Sequence, residues 1–263
     1  MNIDLRGRTA LVTGSTRGIG AAIARQLAGC GARLILHGRS EESVSEATAR
    51  FQTAYPAVEV SGVAGDVATA EGCRAILAII DEVDVLVQNA GVYEWTPFPE
   101  ITDDAWLSMF STHVMSGVRL ARAALPRMKQ RNWGRIVFVG SDAGVYIPPE
   151  MLHYGVSKAA QLALMRGLAE LTKGSGVTVN AVLPGPTAVE GAEDFFDDYA
   201  RRTGTPRAIA EQHFVGASRP TSLIDRMATV DEVANFVTYI CSPLSSVTNG
   251  AALRAEGGIL RHV

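Results

Sequence analysis

TALVTGSTRGIG, residues 9–20, is the stretch from which the fold can be read. Thr9 to Thr13 is a short run of strand-forming residues that enters Gly14, Ser15, Thr16, Arg17, Gly18, Ile19 and Gly20 directly, and helical spacing takes over from Ile19 to Ala28. Glycine suits such a junction: the backbone must turn tightly, approach a bound group without a Cβ in the way, and let the helix pack on the strand. The helix N-terminus then offers unpaired N–H groups and a partial positive charge, which together make a pyrophosphate site. The spacing is GxxxGxG, whereas GxGxxG is the usual dinucleotide pattern, so the flanking strand and helix carry as much of the reading as the glycines do.

The same alternation continues along the chain. Arg33 to His37, Val58 to Val63, Asp84 to Gln88, Arg135 to Gly140 and Val177 to Leu183 are short apolar runs of the kind found in central parallel strands. Between them, Glu41 to Ala54, Ala70 to Ile80, Asp104 to Met128 and Leu152 to Thr172 place apolar residues three and four apart. A further helix over Val230 to Cys241 precedes Leu253, which begins a seventh strand. The predicted fold is a single α/β domain over residues 1–263, a Rossmann fold whose doubly wound parallel sheet of about seven strands carries helices on both faces. One segment, residues 189–226, breaks the pattern just past a strand's C-terminal end, where such folds usually cover their site. In it Phe195, Phe196 and Tyr199 share one side of a short helix, with Glu193, Asp194, Asp197 and Asp198 on the other. A substrate lid and a surface helix docked by its aromatics both fit.

Of the 263 residues, 47% are hydrophobic and 19% charged, with a formal net charge of -3, enough apolar content for a full core. Charges of both signs are interspersed, so no basic face is expected to bind nucleic acid. Asp4, Arg6 and Arg8 interrupt the opening segment, and no apolar run is long enough to span a bilayer, so a cytoplasmic protein with no membrane partner is expected. Cys30, Cys73 and Cys241 have no metal-ligand spacing and read as buried thiols, with no metal expected.

The end of the second strand selects the nucleotide, because a carboxylate there holds an adenosine ribose hydroxyl and repels a 2′-phosphate. Here the strand ends His37, Gly38, Arg39, Ser40, without an acid. Arg39 suits a charge-assisted contact with the phosphate, and Arg17 in the loop is expected to reach the same group. Either arginine alone reads more plainly as a solvated surface charge, but the two together, with the acid missing, favour NADP(H), and NAD(H) is the alternative.

Tyr154 and Lys158 lie four apart near the start of a predicted helix, which puts them on one face about 6 Å apart along the axis. That spacing suits a proton donor beside a cation. A phenol working near neutrality needs its anion favoured by about three pH units, on the order of 4 kcal/mol, and the Lys158 ammonium plus a positively charged nicotinamide ring would supply most of it. Ser141 ends the preceding strand at the sheet's ligand-binding edge, where its hydroxyl can hold a substrate oxygen.

Taken together, TGSTRGIG, Asp66, Asn89-Ala90-Gly91, Ser141, YGVSK and Pro184-Gly185 resemble the short-chain dehydrogenase/reductase family over nearly the whole chain. The resemblance implies that Asp66 and Val67 contact adenine, that Asn89, Ala90 and Gly91 line the cofactor cleft, and that Pro184, Gly185 and Thr187 lie along the nicotinamide. It further implies that Tyr154 protonates a carbonyl oxygen as hydride leaves NADPH, with Lys158 on the nicotinamide ribose. Family members are commonly tetramers or dimers, so a homo-oligomer is implied, with the helices at Asp104 and Leu152 as interface candidates. His113 stands where the family commonly has a catalytic asparagine; an imidazole both donates and accepts, and the relay water is thought to lean on the backbone carbonyl. Val189 replaces a common threonine.

Tyr93, Trp95, Val145, Tyr146 and Met151 with the lid aromatics point to a mostly apolar carbonyl or alcohol substrate, and 3-oxoacyl-carrier-protein reductase is the nearest named activity by resemblance. Arg201, Arg202 and Arg207 fit either an anionic tail or a solvated face. Two rivals belong to other classes. A non-catalytic or weakly active NADP(H)-binding protein would retain the loop and lose the chemistry, for which His113 is the motive. A serine hydrolase would use Ser141, Asp142 and His153, but GSDAG is not the GxSxG elbow. Replacing Arg39 is the direct test of cofactor choice: Arg39→Asp is expected to move the NADP/NAD efficiency ratio towards NAD by about tenfold, roughly 1.4 kcal/mol, and an unchanged ratio defeats the assignment.

Overall fold

Strand β1 (Thr9–Val12) is buried throughout and sits inside a sheet, between β2 (Arg33–Gly38) and β4 (Val85–Gln88). The structure is a computed structural model and describes residues 2–262. With β3 (Val60–Ala64), β5 (Gly134–Val139), β6 (Val177–Pro184) and β9 (Ala252–Ala255), the strands form a seven-stranded parallel sheet in the order β3-β2-β1-β4-β5-β6-β9. This is the expected Rossmann-like architecture, and the switch of direction between β1 and β4 opens the crevice in which such sheets bind ligands.

Both faces of the sheet are covered because adjacent strand residues point to opposite sides. Ala10 and Val12 join a core with Ile23 and Leu27 of α1 (Gly18–Gly29), Phe51 of α2 (Glu41–Ala54) and Val237 of α9 (Val230–Cys241). Leu11, between them in sequence, joins the other core with Ile76 of α3 (Cys73–Ala78), Leu120 of α5 (Ser116–Gln130) and Met165 of α6 (Leu152–Glu170). Among the described residues, no helix is long and apolar enough to cross a membrane.

Two elements differ from expectation. The helix over Ala70 to Ile80 shortens to α3 plus a 3-10 turn, Ile80–Glu82. The single helix over Asp104 to Met128 is instead α4 (Asp103–Phe110), a π-helical segment Ser111–Met115, and α5. Each flanking helix retains its own apolar spacing, and a single π turn within so long a helical pattern is a local slip that sequence reading passes over.

The segment expected to cover the site leaves β6 through a two-residue strand, β7 (Thr187–Ala188), and returns through β8 (Ala228–Thr229), which pairs with it in parallel. Between them α7 (Glu193–Thr203) and α8 (Ala210–Ser218) form a small core of their own from Phe196, Tyr199, Ala210 and Phe214. The aromatic face of α7 therefore holds the insertion together.

Arg135, only 2% exposed, ties the far end of the sheet. Its guanidinium donates to the carbonyls of Gly134, Gly176 and Ser242 and stacks on Trp133 with 4.7 Å to the ring centroid. Arg135→Met removes those donors while retaining much of the apolar stem, so it is expected to lower stability by about 3 kcal/mol, read by denaturant unfolding; a loss below about 0.5 kcal/mol would contradict this account.

Candidate active site

The loop at the end of β1 is shaped by its glycines and held from beneath. Gly14 (φ +64) and Gly18 (φ +59) occupy the left-handed region, and a Cβ on Gly20 would lie 2.3 Å from the Gly14 carbonyl oxygen. The Gly14 N–H donates to His37 Nδ1 (3.0 Å), and Ser15 exchanges two bonds with the His37 backbone. Asn89 uses its amide to donate to the carbonyls of Thr13 (2.9 Å) and Gly14 (3.1 Å), so it braces the loop. Arg17 at the N-cap of α1 makes no side-chain cap, which leaves the first-turn amides aimed at the loop mouth. Close backbone approach and a bare helix N-terminus fit a dinucleotide pyrophosphate.

Arg39 and Ser40 are exposed beyond β2, with Ser40 capping α2. Arg17 lies elsewhere than expected. Its Nη1 is 2.5 Å from where a Cβ on Gly191 would be, so in this structure it reaches the 189–226 segment; burial raises the Tyr93 phenol's pKa, and the Arg17 charge acts against that rise. Asp66 is exposed and accepts from the Ala68 N–H; Val67 beside it is buried. Ala90 and Gly91 follow β4, with Gly91 against His113. Pro184 and Gly185 close β6, and Thr187 donates to the Gly185 carbonyl.

The structure brings Ser141, Tyr154, Lys158 and His113 together at the sheet's C-terminal edge. Lys158 Nζ is 5.8 Å from the Tyr154 ring centroid, and the His113 imidazole meets that ring edge-on at 5.6 Å. Desolvation pushes the partly exposed Tyr154 phenol up to about 12; Ser141 and Arg219 act to lower it, Asp142 and Tyr93 to raise it. Desolvation also brings the buried Lys158 down to about 7. The protein by itself therefore does not supply the lowering of the phenol that the sequence called for. It keeps Tyr154 protonated at neutral pH.

His113 is fully buried, and both ring nitrogens are engaged. Nε2 accepts from the Val92 N–H (3.1 Å), which places the proton on Nδ1, donating to Ser157 Oγ (2.8 Å). Burial and nearby Lys158 hold its pKa well below the usual histidine value. Its carbonyl, expected to support a water, accepts from Gln161 Nε2 (2.9 Å), while Gln161 Oε1 lies 3.3 Å from Lys158 Nζ.

Sequence reading also missed Asp142 and Arg219 as a pair. The Ser141 hydroxyl donates to Asp142 Oδ1 (3.0 Å), and Asp142 Oδ2 accepts from Arg219 Nε (2.5 Å), with both side chains 4% exposed. Arg219, from the end of the insertion, also sits over Tyr146. Tyr93 meets Phe195 edge-on at 5.3 Å and Trp95 meets Tyr199 at 6.2 Å, so Phe195 is the aromatic of α7 that meets Tyr93, while Phe196 and Tyr199 are buried in the small core of the insertion. Among the lid arginines expected to meet an anion, Arg201 and Arg202 pair with Asp198 and Arg207 with Asp197. The hydrolase rival finds no support: neither ring nitrogen of His153 makes a hydrogen bond, and its near neighbour is Glu94 at 3.7 Å.

Residues 8–200 match the model of the short chain dehydrogenase family. Among curated proteins, the chain is 44% identical to the oxidoreductase YvaG of Bacillus subtilis, over 100% of both chains. It is 31% identical to the 3-oxoacyl-[acyl-carrier-protein] reductase FabG of Vibrio cholerae, covering 98% of this chain and 99% of that one. Among solved structures, L-sorbose reductase from Gluconobacter frateurii, complexed with NADPH and L-sorbose, superposes with a TM-score of 0.92 at 30% identity, over 100% of both chains.

The Arg219–Asp142 pair makes a direct prediction. Arg219→Met leaves a buried carboxylate without its partner and is expected to destabilise the protein by about 3 kcal/mol, most of it regained in Arg219→Met/Asp142→Asn. Additive losses in the double variant, measured by denaturant unfolding, would show that the two groups are not coupled.

Proposed function

The chain belongs to the short-chain dehydrogenase family, and on that premise we propose that it is an NADP(H)-dependent reductase of a carbonyl compound, running in reverse as a secondary-alcohol dehydrogenase. The observation that carries this reading is the phenol of Tyr154, protonated to about 12, with Ser141 and the buried Lys158 beside it at the C-terminal edge of the sheet. Carbonyl reduction needs a protonated acid at the start, and that is the state this environment favours.

NADPH, when bound, supplies the hydride. The amides of Gly18, Ile19 and Gly20 and the turn of Gly14, Ser15 and Thr16 would hold its pyrophosphate, and Arg39, with no acid beside it, its 2′-phosphate. Ser141 orients the substrate oxygen, Tyr154 gives it a proton, and Lys158 holds the ribose and steadies the phenolate left behind. His113, with both nitrogens committed, positions the Val92 backbone and α6 through Ser157. NADP(H) is further supported by the NADPH in the related L-sorbose reductase. The insertion 189–226 covers the substrate, with Tyr93, Tyr146 and Phe195 at its mouth; a 3-oxoacyl thioester is one candidate substrate. The protein is proposed to act in the cytoplasm as a dimer or tetramer.

A panel of ketones and 3-oxoacyl thioesters with NADPH, followed by absorbance, tests the activity. Tyr154→Phe is expected to lower kcat by about 10³-fold or more while leaving NADPH binding within about twofold; a variant retaining a tenth of wild-type turnover would remove Tyr154 from the chemistry. The pH dependence has a defined sign. Lys158 carries its charge below about 7 and loses it above, while Tyr154 stays protonated to about 12, so reduction is expected to be fastest on the acid side of neutrality. A rate that climbs steadily from pH 6 to 9 would contradict that order.

A further inference from the structure

We propose that Gln161 is the positioning residue for Lys158: its side-chain amide bridges the Lys158 ammonium to the His113 carbonyl, and so fixes the ammonium where the cofactor ribose and the Tyr154 phenol meet. This rests on the reading of Tyr154 and Lys158 given above, and goes beyond it by assigning a residue outside the matched motif.

Geometry carries the argument. Lys158 is 4% exposed and has three N–H donors. One goes to the Val139 carbonyl (2.9 Å) and a second to Gln161 Oε1 (3.3 Å), which leaves the third for the cleft. Gln161 is itself only 2% exposed, one turn after Lys158 on the same face of α6, and its Nε2 donates to the His113 carbonyl. Only one orientation of the amide satisfies both neighbours. Flipped, it would set N–H groups against an ammonium and an oxygen against a carbonyl oxygen, so the two partners dictate which way it faces. A buried ammonium is costly unless oxygens replace its water, and here two protein oxygens, those of Val139 and Gln161, are placed to do so.

His113 belongs to the same arrangement. It sits in the π-helical segment Ser111–Met115, its imidazole neutral and locked between Val92 and Ser157, its carbonyl turned to α6. The titratable groups around the ammonium are thus Tyr154 on its own helix and His113 on the π-helical segment, while β5 gives it the Val139 carbonyl. Gln161 is a neutral acceptor among them. Its loss leaves the ammonium less well solvated and easier to deprotonate, so the damage grows as pH rises.

The test uses the full chain, NADPH itself and four variants: Tyr154→Phe, Gln161→Met, Lys158→Met and the Gln161→Met/Lys158→Met double. NADPH affinity is read by fluorescence titration from pH 6 to 9, independently of turnover. Gln161→Met, close in volume, is expected to weaken NADPH binding about tenfold at pH 9 and less at pH 6, as for loss of one hydrogen bond to a charged group. Turnover should fall about as much, with the carbonyl KM within about twofold. In the Lys158→Met background the same change should leave NADPH affinity unaltered, since the amide acts through the lysine. Equal losses in both backgrounds, or no pH-dependent change in affinity, overturn the proposal. Should Gln161→Met fail to fold, Gln161→Glu retains the oxygen facing Lys158; it should bind NADPH as tightly as wild type and extend that binding to higher pH, and weaker binding at pH 9 would count against the bridge. If Tyr154→Phe turns over normally, the catalytic reading fails instead, and the affinity measurements still decide the role of Gln161.

Discussion

Taking the Lys158 ammonium out of water costs several kcal/mol unless oxygens are held ready to receive it, and much of the surrounding architecture meets that demand. The Val139 carbonyl comes from the last residue of β5, so its place is set by pairing with β4 and β6. Gln161 is placed by the pitch of α6, and His113 by a local widening of the helix opposite. Sheet, helix and π turn are independent in sequence, yet all three must agree for the Val139 and Gln161 oxygens to meet one cation.

The dinucleotide loop obeys a different constraint, close approach without side chains. Gly14, Gly18 and Gly20 make room, but room alone would leave the loop loose. His37 and Asn89 provide the rigidity by bonding the backbone at Gly14, Ser15 and Thr13 from below. Desolvation keeps His37 neutral, which it must be for Nδ1 to accept from Gly14. The loop and the edge that carries Lys158 are thus both braced by hydrogen bonds within the protein, and bracing of this kind lowers the entropy that binding must overcome.

What was legible in the sequence was whatever local spacing dictates. The strand-to-helix turn at residues 9–20, the seven strands and the Tyr154–Lys158 face all follow from contacts within a few residues, and the structure has them where expected. Hidden features depend on partners distant in the chain. Gln161 meets a carbonyl 48 residues away, and Arg219 meets Asp142 across 77 residues. Gln161 still left a trace, a polar residue on the buried side of α6 three places after Lys158; Arg219 left none among the other arginines of its segment. Nor does spacing report the desolvation that raises the Tyr154 phenol in the protein alone, against the opposing effect of the Ser141 hydroxyl.

The short clasp that pairs Thr187 with Ala228 and Ala188 with Thr229 bears on how such a scaffold diversifies. Both ends of the insertion depart from neighbouring points, and the entropy of closing a loop grows only slowly with its length. A segment anchored in this way can be lengthened, trimmed or exchanged without disturbing the register of β6 and β9. Appetite for one molecule or another then becomes separable from the sheet edge that carries Tyr154 and Lys158, and can drift while that edge stays put.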